Sequence, residues 1–302
     1  MFRAACRLSL AEAPVTVTGS RDLFGRFGQA ADYAKFRPTY PAPLYKALLK
    51  QLGTRPGSYG RRHFALDLAC GSGQVTVPLA KWFDSVVGID QSQEQLRNAS
   101  RPRPEADVGD VDYQAWSAYE LTELVAPQSV DLVTVAQALH WMDTDAVISQ
   151  VSQVLRPGGV FAVMGYGRPI LADPRQEAAY RRFYYDVLGS GLKPGDKGCY
   201  WDIDRSTVDG AFPEIADFGP DFMSVAQDMA AGSFRREWFK NPQVSQQRDF
   251  FGYLRSGSAY QTYLQRTGKD PLPELYADMG VESVEDEVEF TFPFFLLTAR
   301  RR

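Results

Sequence analysis

Apolar positions along the chain recur first at helical and then at strand spacing, and the alternation repeats. Leu44, Tyr45, Leu48, Leu49 and Leu52 fall on one helical face, opened by Pro41 and closed by Gly53 and Pro56-Gly57. Phe64 to Leu68 is a short apolar run that predicts a buried strand. After the turn Ala69-Cys70-Gly71-Ser72-Gly73, Val75 to Phe83 predicts a helix with Pro78 near its first turn. Ser85 to Asp90 predicts a second strand, and Ser92 with Gln95, at capping-box spacing, starts a polar helix that Pro102 and Pro104 break. Val111 to Trp116 and Val130 to Ala136 predict strands three and four. Val147, Ile148, Val151, Val154 and Leu155 predict an amphipathic helix ended by Pro157-Gly158-Gly159, and Val160 to Met164 a fifth strand. Strands separated by helices imply βαβ units, hence an α/β fold whose mostly parallel sheet binds ligands at the carboxyl ends of its strands.

Beyond Tyr166 the rhythm changes. Tyr180, Phe183, Tyr184, Val187 and Leu188 mark a helix, Gly189 to Gly219 has no clear period, and about Gln243 to Leu264 reads as helical. Glu287 to Thr298 alternates and then becomes continuously apolar, predicting a closing strand or hairpin with Pro293 at an edge or bulge.

Composition narrows the classes of function. With 302 residues, 44% hydrophobic and 23% charged, the chain has enough apolar content for a sizeable core. Its formal charge of −4 offers no broad positive field for phosphates, which argues against a nucleic-acid partner. No apolar run approaches the roughly 18 residues of a membrane span. The odd, scattered set Cys6, Cys70 and Cys199 suits a reducing compartment, so a cytoplasmic location is expected. Residues 1–23 read as a flexible tail, although Arg3 and Arg7 without an acid before Glu12 leave a short targeting segment open.

The most informative segment is Asp67-Leu68-Ala69-Cys70-Gly71-Ser72-Gly73. Small residues after a buried strand let backbone approach a ligand, and the following helix start offers unpaired N–H groups. A dinucleotide fingerprint would place a third glycine at position 76, where this chain has Thr76, which weakens the reading as a nicotinamide-dependent oxidoreductase. Asp90, at the end of the second strand, is placed to accept both ribose hydroxyls of an adenosine. Two roles fit His140, at the end of strand four beside Trp141: a base that takes a proton from the acceptor, or a packed imidazole that shapes a pocket.

These residues resemble the class I S-adenosylmethionine-dependent methyltransferases: the glycine turn after strand one, the acid after strand two, and Leu155-Arg156-Pro157-Gly158-Gly159 before strand five. The sequence is closer to the trans-aconitate methyltransferase-like subgroup. Tyr33 to Pro41 is similar to its amino-terminal signature, Gln137-Ala138-Leu139-His140-Trp141 to its segment after strand four, and Gly252 to Tyr260 to its late aromatic and basic helix.

The resemblance implies a Rossmann-like, mostly parallel sheet with a helical and aromatic cap. Residues 24–165 would form the cofactor domain with its amino-terminal lid, 166–286 the cap insertion and 287–302 the closing strand. S-adenosylmethionine is the implied cofactor, with no metal. Asp67 belongs to the motif; Ala69, Gly71 and Gly73 would contact the methionine part, Asp90 the ribose, Gln91 the adenine, Ser117 and Ala118 the adenine edge, and Gln137 and Ala138 the methionine from below. Tyr33 and Arg37 would close a lid, with Arg37 pairing the methionine carboxylate. In the cap, Arg255 is the expected substrate-facing cation, with Trp141, Tyr166, Trp201 and Tyr260 as pocket walls; Gly257 replaces a bulky aromatic of that motif. The implied activity is methyl transfer to a small molecule, a carboxylate or a hydroxyl or amine, by a monomer or homodimer. A nucleoside-binding protein of the same fold with altered chemistry stands as the alternative, because function resides in the site and not the fold.

Overall fold

The computed structural model describes residues 36–52, 62–100, 108–215, 218–223 and 235–302. Tyr33, the tail over residues 1–23 and the turns around Pro56 and Pro102 lie outside these residues. Among the described residues no helix is long and apolar enough to cross a membrane.

In chain order the first half comprises α1 (Ala42–Gln51), β1 (Arg62–Leu68), α2 (Thr76–Leu79), β2 (Phe83–Asp90), α3 (Gln93–Arg97), β3 (Asp110–Ala115), α4 (Leu121–Leu124), β4 (Val130–Ala136), α5 (Thr144–Val154) and β5 (Leu155–Tyr166). The second half comprises β6 (Ile170–Leu171), α6 (Pro174–Arg182), α7 (Arg205–Asp209), β7 (Phe222–Met223), β8 (Arg235–Gln246), α8 (Gln247–Arg255), α9 (Ser258–Thr267), α10 (Leu272–Met279) and β9 (Glu287–Arg301). The sheet runs β3-β2-β1-β4-β5-β9. The first five strands are parallel to their neighbours, and β9 runs antiparallel to β5. The parallel, two-sided sheet expected from the alternating pattern is therefore present.

Residues on successive positions of β9 serve opposite faces, as strand geometry requires. Phe294 packs with Leu44, Phe83 and Phe250 on one side of the sheet. Phe295, its neighbour, packs with Leu66, Val133 and Phe161 on the other. At the expected capping box, Ser92 Oγ accepts a hydrogen bond from the Gln95 N–H and starts α3.

Three expectations need correction. The helix expected over Val75 to Phe83 is one short turn, α2, because Phe83 is fully buried and pairs with Arg62 as the first residue of β2. The stretch expected as a helix from Gln243 begins as the end of β8, and its helical part breaks at Ser256-Gly257 into α8 and α9. Pro293 is not at an edge: it pairs with Lys240 of β8 and, of the edge or bulge expected, leaves only the irregular position, where the neighbour on the other side of β9 changes from β5 to β6 and the Pro293 carbonyl accepts from the Gly167 N–H.

Residues 166–286 are also more than a cap. They include β8, which pairs with β9 from Arg235↔Thr298 to Gln246↔Glu287. Its sequence hid it, because this strand of the sheet leaves Trp238 and Val244 exposed and carries Lys240 and Pro242, residues that mark a strand edge facing solvent.

Candidate active site

The turn after β1 is built by three left-handed residues, Ala69 (φ 49°), Gly71 (φ 54°) and Gly73 (φ 83°). The Cys70 N–H donates to the Ile89 carbonyl and the Gly73 N–H to the Cys70 carbonyl, which pins the turn beside the end of β2. Gly73 admits no side chain, because a Cβ there would collide with the Tyr113 hydroxyl. At Gly71 the space in front of the backbone is open apart from Gln95 Oε1, 3.8 Å from where a Cβ would lie. The result is a backbone cradle with one wall missing, the shape a ligand-binding turn needs.

Asp67 supports this turn from beneath. It is 1% exposed, and its two oxygens accept hydrogen bonds from Thr76 Oγ1 (2.7 Å) and Thr134 Oγ1 (2.6 Å). Burial pushes its carboxyl up to about 6, against the two hydroxyl bonds that lower it. Thr76, which weighed against a dinucleotide site in the sequence, is thus a positive element of this one.

Asp90 stands half-buried at the end of β2. Its Oδ2 accepts from the Gly71 N–H (2.9 Å) and its Oδ1 from the Ser92 N–H (2.8 Å), so one carboxylate fixes both the cradle and the start of α3. Gln91 is exposed beside it and reaches Ser117 Oγ at 3.5 Å, joining the ends of β2 and β3. The Tyr119 hydroxyl accepts from the Asp143 N–H at the start of α5. Ala118 and Ala138 pack into the core, 7% and 9% exposed, so their side chains have little ligand surface to offer.

A second cleft opens at the end of β4. Gln137, in a left-handed conformation (φ 53°), lines it and donates from Nε2 to the Tyr166 carbonyl (2.8 Å). The atom-free space in and in front of the cleft, open solvent included, is about 810 Å³. His140, Trp141, Tyr166, Trp201 and Tyr260, all expected from the sequence, meet in its walls. Phe183 and Tyr184, part of the helical pattern in the sequence, are buried but also face it; they open the π-helical turn Phe183–Val187 that continues α6.

Three guanidinium groups line the cleft, Arg37, Arg168 and Arg205, and among the described residues no aspartate or glutamate does. Arg37 donates to the Ser256 carbonyl (3.1 Å) and reaches the Tyr166 hydroxyl (3.5 Å), so the amino-terminal segment is fastened to both α8 and β5. Beside it the Phe36 ring fills the notch left by Gly252, where a Cβ would come within 2.6 Å of the ring. Arg168 forms a two-pronged pair with Glu177 (2.7 and 3.2 Å). Arg205 donates from Nε to the Tyr184 hydroxyl (2.9 Å) and from Nη2 to Asp209 (2.8 Å), and Tyr184 in turn donates to Asp209 (3.0 Å).

Arg255, expected to be the substrate-facing cation, does not line this cleft. It is exposed at the last turn of α8, one residue past buried Leu254, and Arg205 is the cleft cation that sequence reading passed over. His140 presents a neutral ring. Burial and the nearby Arg205 charge push its imidazole down to about 3, and its Nδ1 is shielded, with no hydrogen-bond partner among the described residues. Among the described residues no cluster of His, Cys, Asp and Glu has the makings of a metal site.

Comparison with known proteins agrees with this geometry. Residues 66–163, which span the cradle, Asp90 and β1 to β5, match a family model described as a methyltransferase domain. A methyltransferase of Dictyostelium discoideum is 29% identical over 292 residues, 95% of this chain and 97% of that protein. A Saccharomyces cerevisiae protein described as an S-adenosylmethionine-dependent methyltransferase is 31% identical over 172 residues, and the match spans 57% of its length. Among solved structures, a type II methyltransferase of Anaeromyxobacter dehalogenans superposes with a TM-score of 0.64 at 29% identity, covering 88% of this chain and 98% of that one.

Proposed function

We propose that this chain, a class I S-adenosylmethionine-dependent methyltransferase, transfers methyl to a small anionic molecule held in the cleft at the end of β4. The observation that carries this reading is the composition of the cleft wall among the described residues, three guanidinium groups and no carboxylate, beginning at Gln137 just past β4, the strand that pairs with β1. The favoured acceptor is a carboxylate, or a hydroxyl or amine on a molecule that also carries one, and the trans-aconitate methyltransferase-like resemblance agrees with that chemistry.

The residues present fit S-adenosylmethionine. The open front at Gly71 admits the methionine backbone, Asp90 offers a half-buried carboxylate to the ribose, and Gln91 with Ser117 flanks the adenine side. Arg37 is assigned to the lid, where its guanidinium is suited to an anionic group of cofactor or acceptor. The bound cofactor supplies an electrophilic methyl on a positively charged sulfur. The protein's part is positioning and exclusion of water.

A carboxylate acceptor needs no base. His140, held neutral and already losing its proton near pH 3, is a weak base. Its assigned role is therefore a hydrogen-bonding wall, with Trp141 beside it at 5.0 Å between ring centres. Calorimetric titration with S-adenosylhomocysteine and, separately, NAD tests the assignment: binding of the former alone is expected, and preference for NAD would overturn it.

A further inference from the structure

One wall of the acceptor cleft contains polar groups that the fold does not use. The Arg205 side chain spends Nε on Tyr184 and Nη2 on Asp209, while Nη1 makes no hydrogen bond among the described residues and lies in a residue that lines the cleft. Its guanidinium carbon sits 4.8 Å over the Trp201 ring. The Trp201 Nε1 and His140 Nδ1 are buried and make no hydrogen bond among the described residues, and both residues line the same cleft. A buried polar group without a partner is costly, so two such groups beside a cleft-facing guanidinium mark a place where a ligand completes the structure.

The geometry points to a carboxylate-binding subsite: Arg205 Nη1 and Trp201 Nε1 each donate one hydrogen bond to a single carboxylate of the acceptor. This rests on the reading of the cleft as the acceptor site. The choice of a carboxylate over a phosphate follows from charge. Asp209, 2.8 Å from Arg205, already offsets the guanidinium, so the wall offers donors with little net charge, which suits a monoanion and not a dianion. Tyr184 and Asp209 hold the fork at a fixed angle, so the donor is set before the ligand arrives. A carboxylate bound in this way gives its lone pairs to N–H groups and is a poor nucleophile. It is an anchor, and the methyl goes to a second nucleophilic group of the same molecule.

The experiment is calorimetric titration of the full chain with benzoate, succinate and inorganic phosphate, each with and without saturating S-adenosylhomocysteine. The wild type should bind at least one of the two carboxylates more tightly than phosphate. Arg205→Gln and Trp201→Phe should each weaken that binding about tenfold while S-adenosylhomocysteine affinity stays within about threefold. Trp201→Phe keeps the ring that packs on Tyr184, and it decides the matter where Arg205→Gln fails to fold. Carboxylate affinity unchanged in Trp201→Phe, tighter binding of phosphate, or no carboxylate binding up to about 10 mM would overturn the subsite. Failure of the wild type to bind S-adenosylhomocysteine would instead contradict the methyltransferase reading.

Discussion

The Thr76 hydroxyl donates to the Asp67 carboxylate across 2.7 Å, tying the first residue of α2 to the strand beneath the glycine cradle. The cradle is therefore held by a buried acid, and its ionisation is linked to stability.

Because burial raises the Asp67 carboxyl to about 6, the protonated form is favoured in the folded state. Its contribution is full below the ordinary carboxyl range near 4 and is lost as pH rises through about 6, on the order of 3 kcal/mol. Asp67→Asn keeps a side chain that both threonine hydroxyls can bond and removes this cost. Denaturant melts should show the variant at least as stable as wild type at pH 8, with that advantage gone at pH 4. A variant much less stable at pH 8 would show that the ionised carboxylate is needed.

Asp90 joins the cradle to α3 and is assigned to the ribose. Asp90→Ala should weaken S-adenosylhomocysteine binding by about 1–3 kcal/mol, measured by calorimetry. Unchanged affinity would remove the ribose assignment.

For His140 the direction is opposite to that of Asp67. Its pKa falls from the ordinary histidine value to about 3, so its stabilising contribution is present above about 6.5 and is lost as pH falls towards 3. His140→Asn should reduce the loss of stability between pH 6.5 and pH 4. The rate of methyl transfer in the wild type should show no inflection from this residue between about pH 5 and 9; a base-limited profile in that range, abolished in the variant, would restore the catalytic role.

Gly257 lines the cleft with ordinary backbone (φ −75°), and among the described residues the one close contact of a Cβ there would be the Leu254 carbonyl at 3.1 Å, which a small backbone shift must relieve. Gly257→Leu should raise the KM for the acceptor and leave cofactor affinity unchanged. Equal loss of both would place Gly257 outside the acceptor side.

Much of the cofactor half was legible because its chemistry is local. Gly71 and Gly73 occupy left-handed positions directly after a buried strand, and Asp90 ends the next one, so strand prediction alone puts them together. The role of Asp67 was not legible, since its partner Thr134 lies on another strand. β8 escaped notice because an edge strand that faces water need not alternate cleanly; pairing with β9 decides its conformation. Arg205 lies in an aperiodic, aromatic-rich stretch. One signal was available there: Asp204 caps α7, and Arg205 with Asp209 has the spacing of a helical ion pair, which together mark a short built element. Arg255 looked more conspicuous in its motif, but the buried face of α8 ends one residue before it.

The most direct test is incubation of the full chain with methyl-labelled S-adenosylmethionine and a metabolite extract, followed by mass spectrometry of the products. A labelled small molecule that carries a carboxylate or its methyl ester, formed by the wild type and lost with Asp90→Ala, is the predicted result. Label found only in protein or nucleic acid would contradict it.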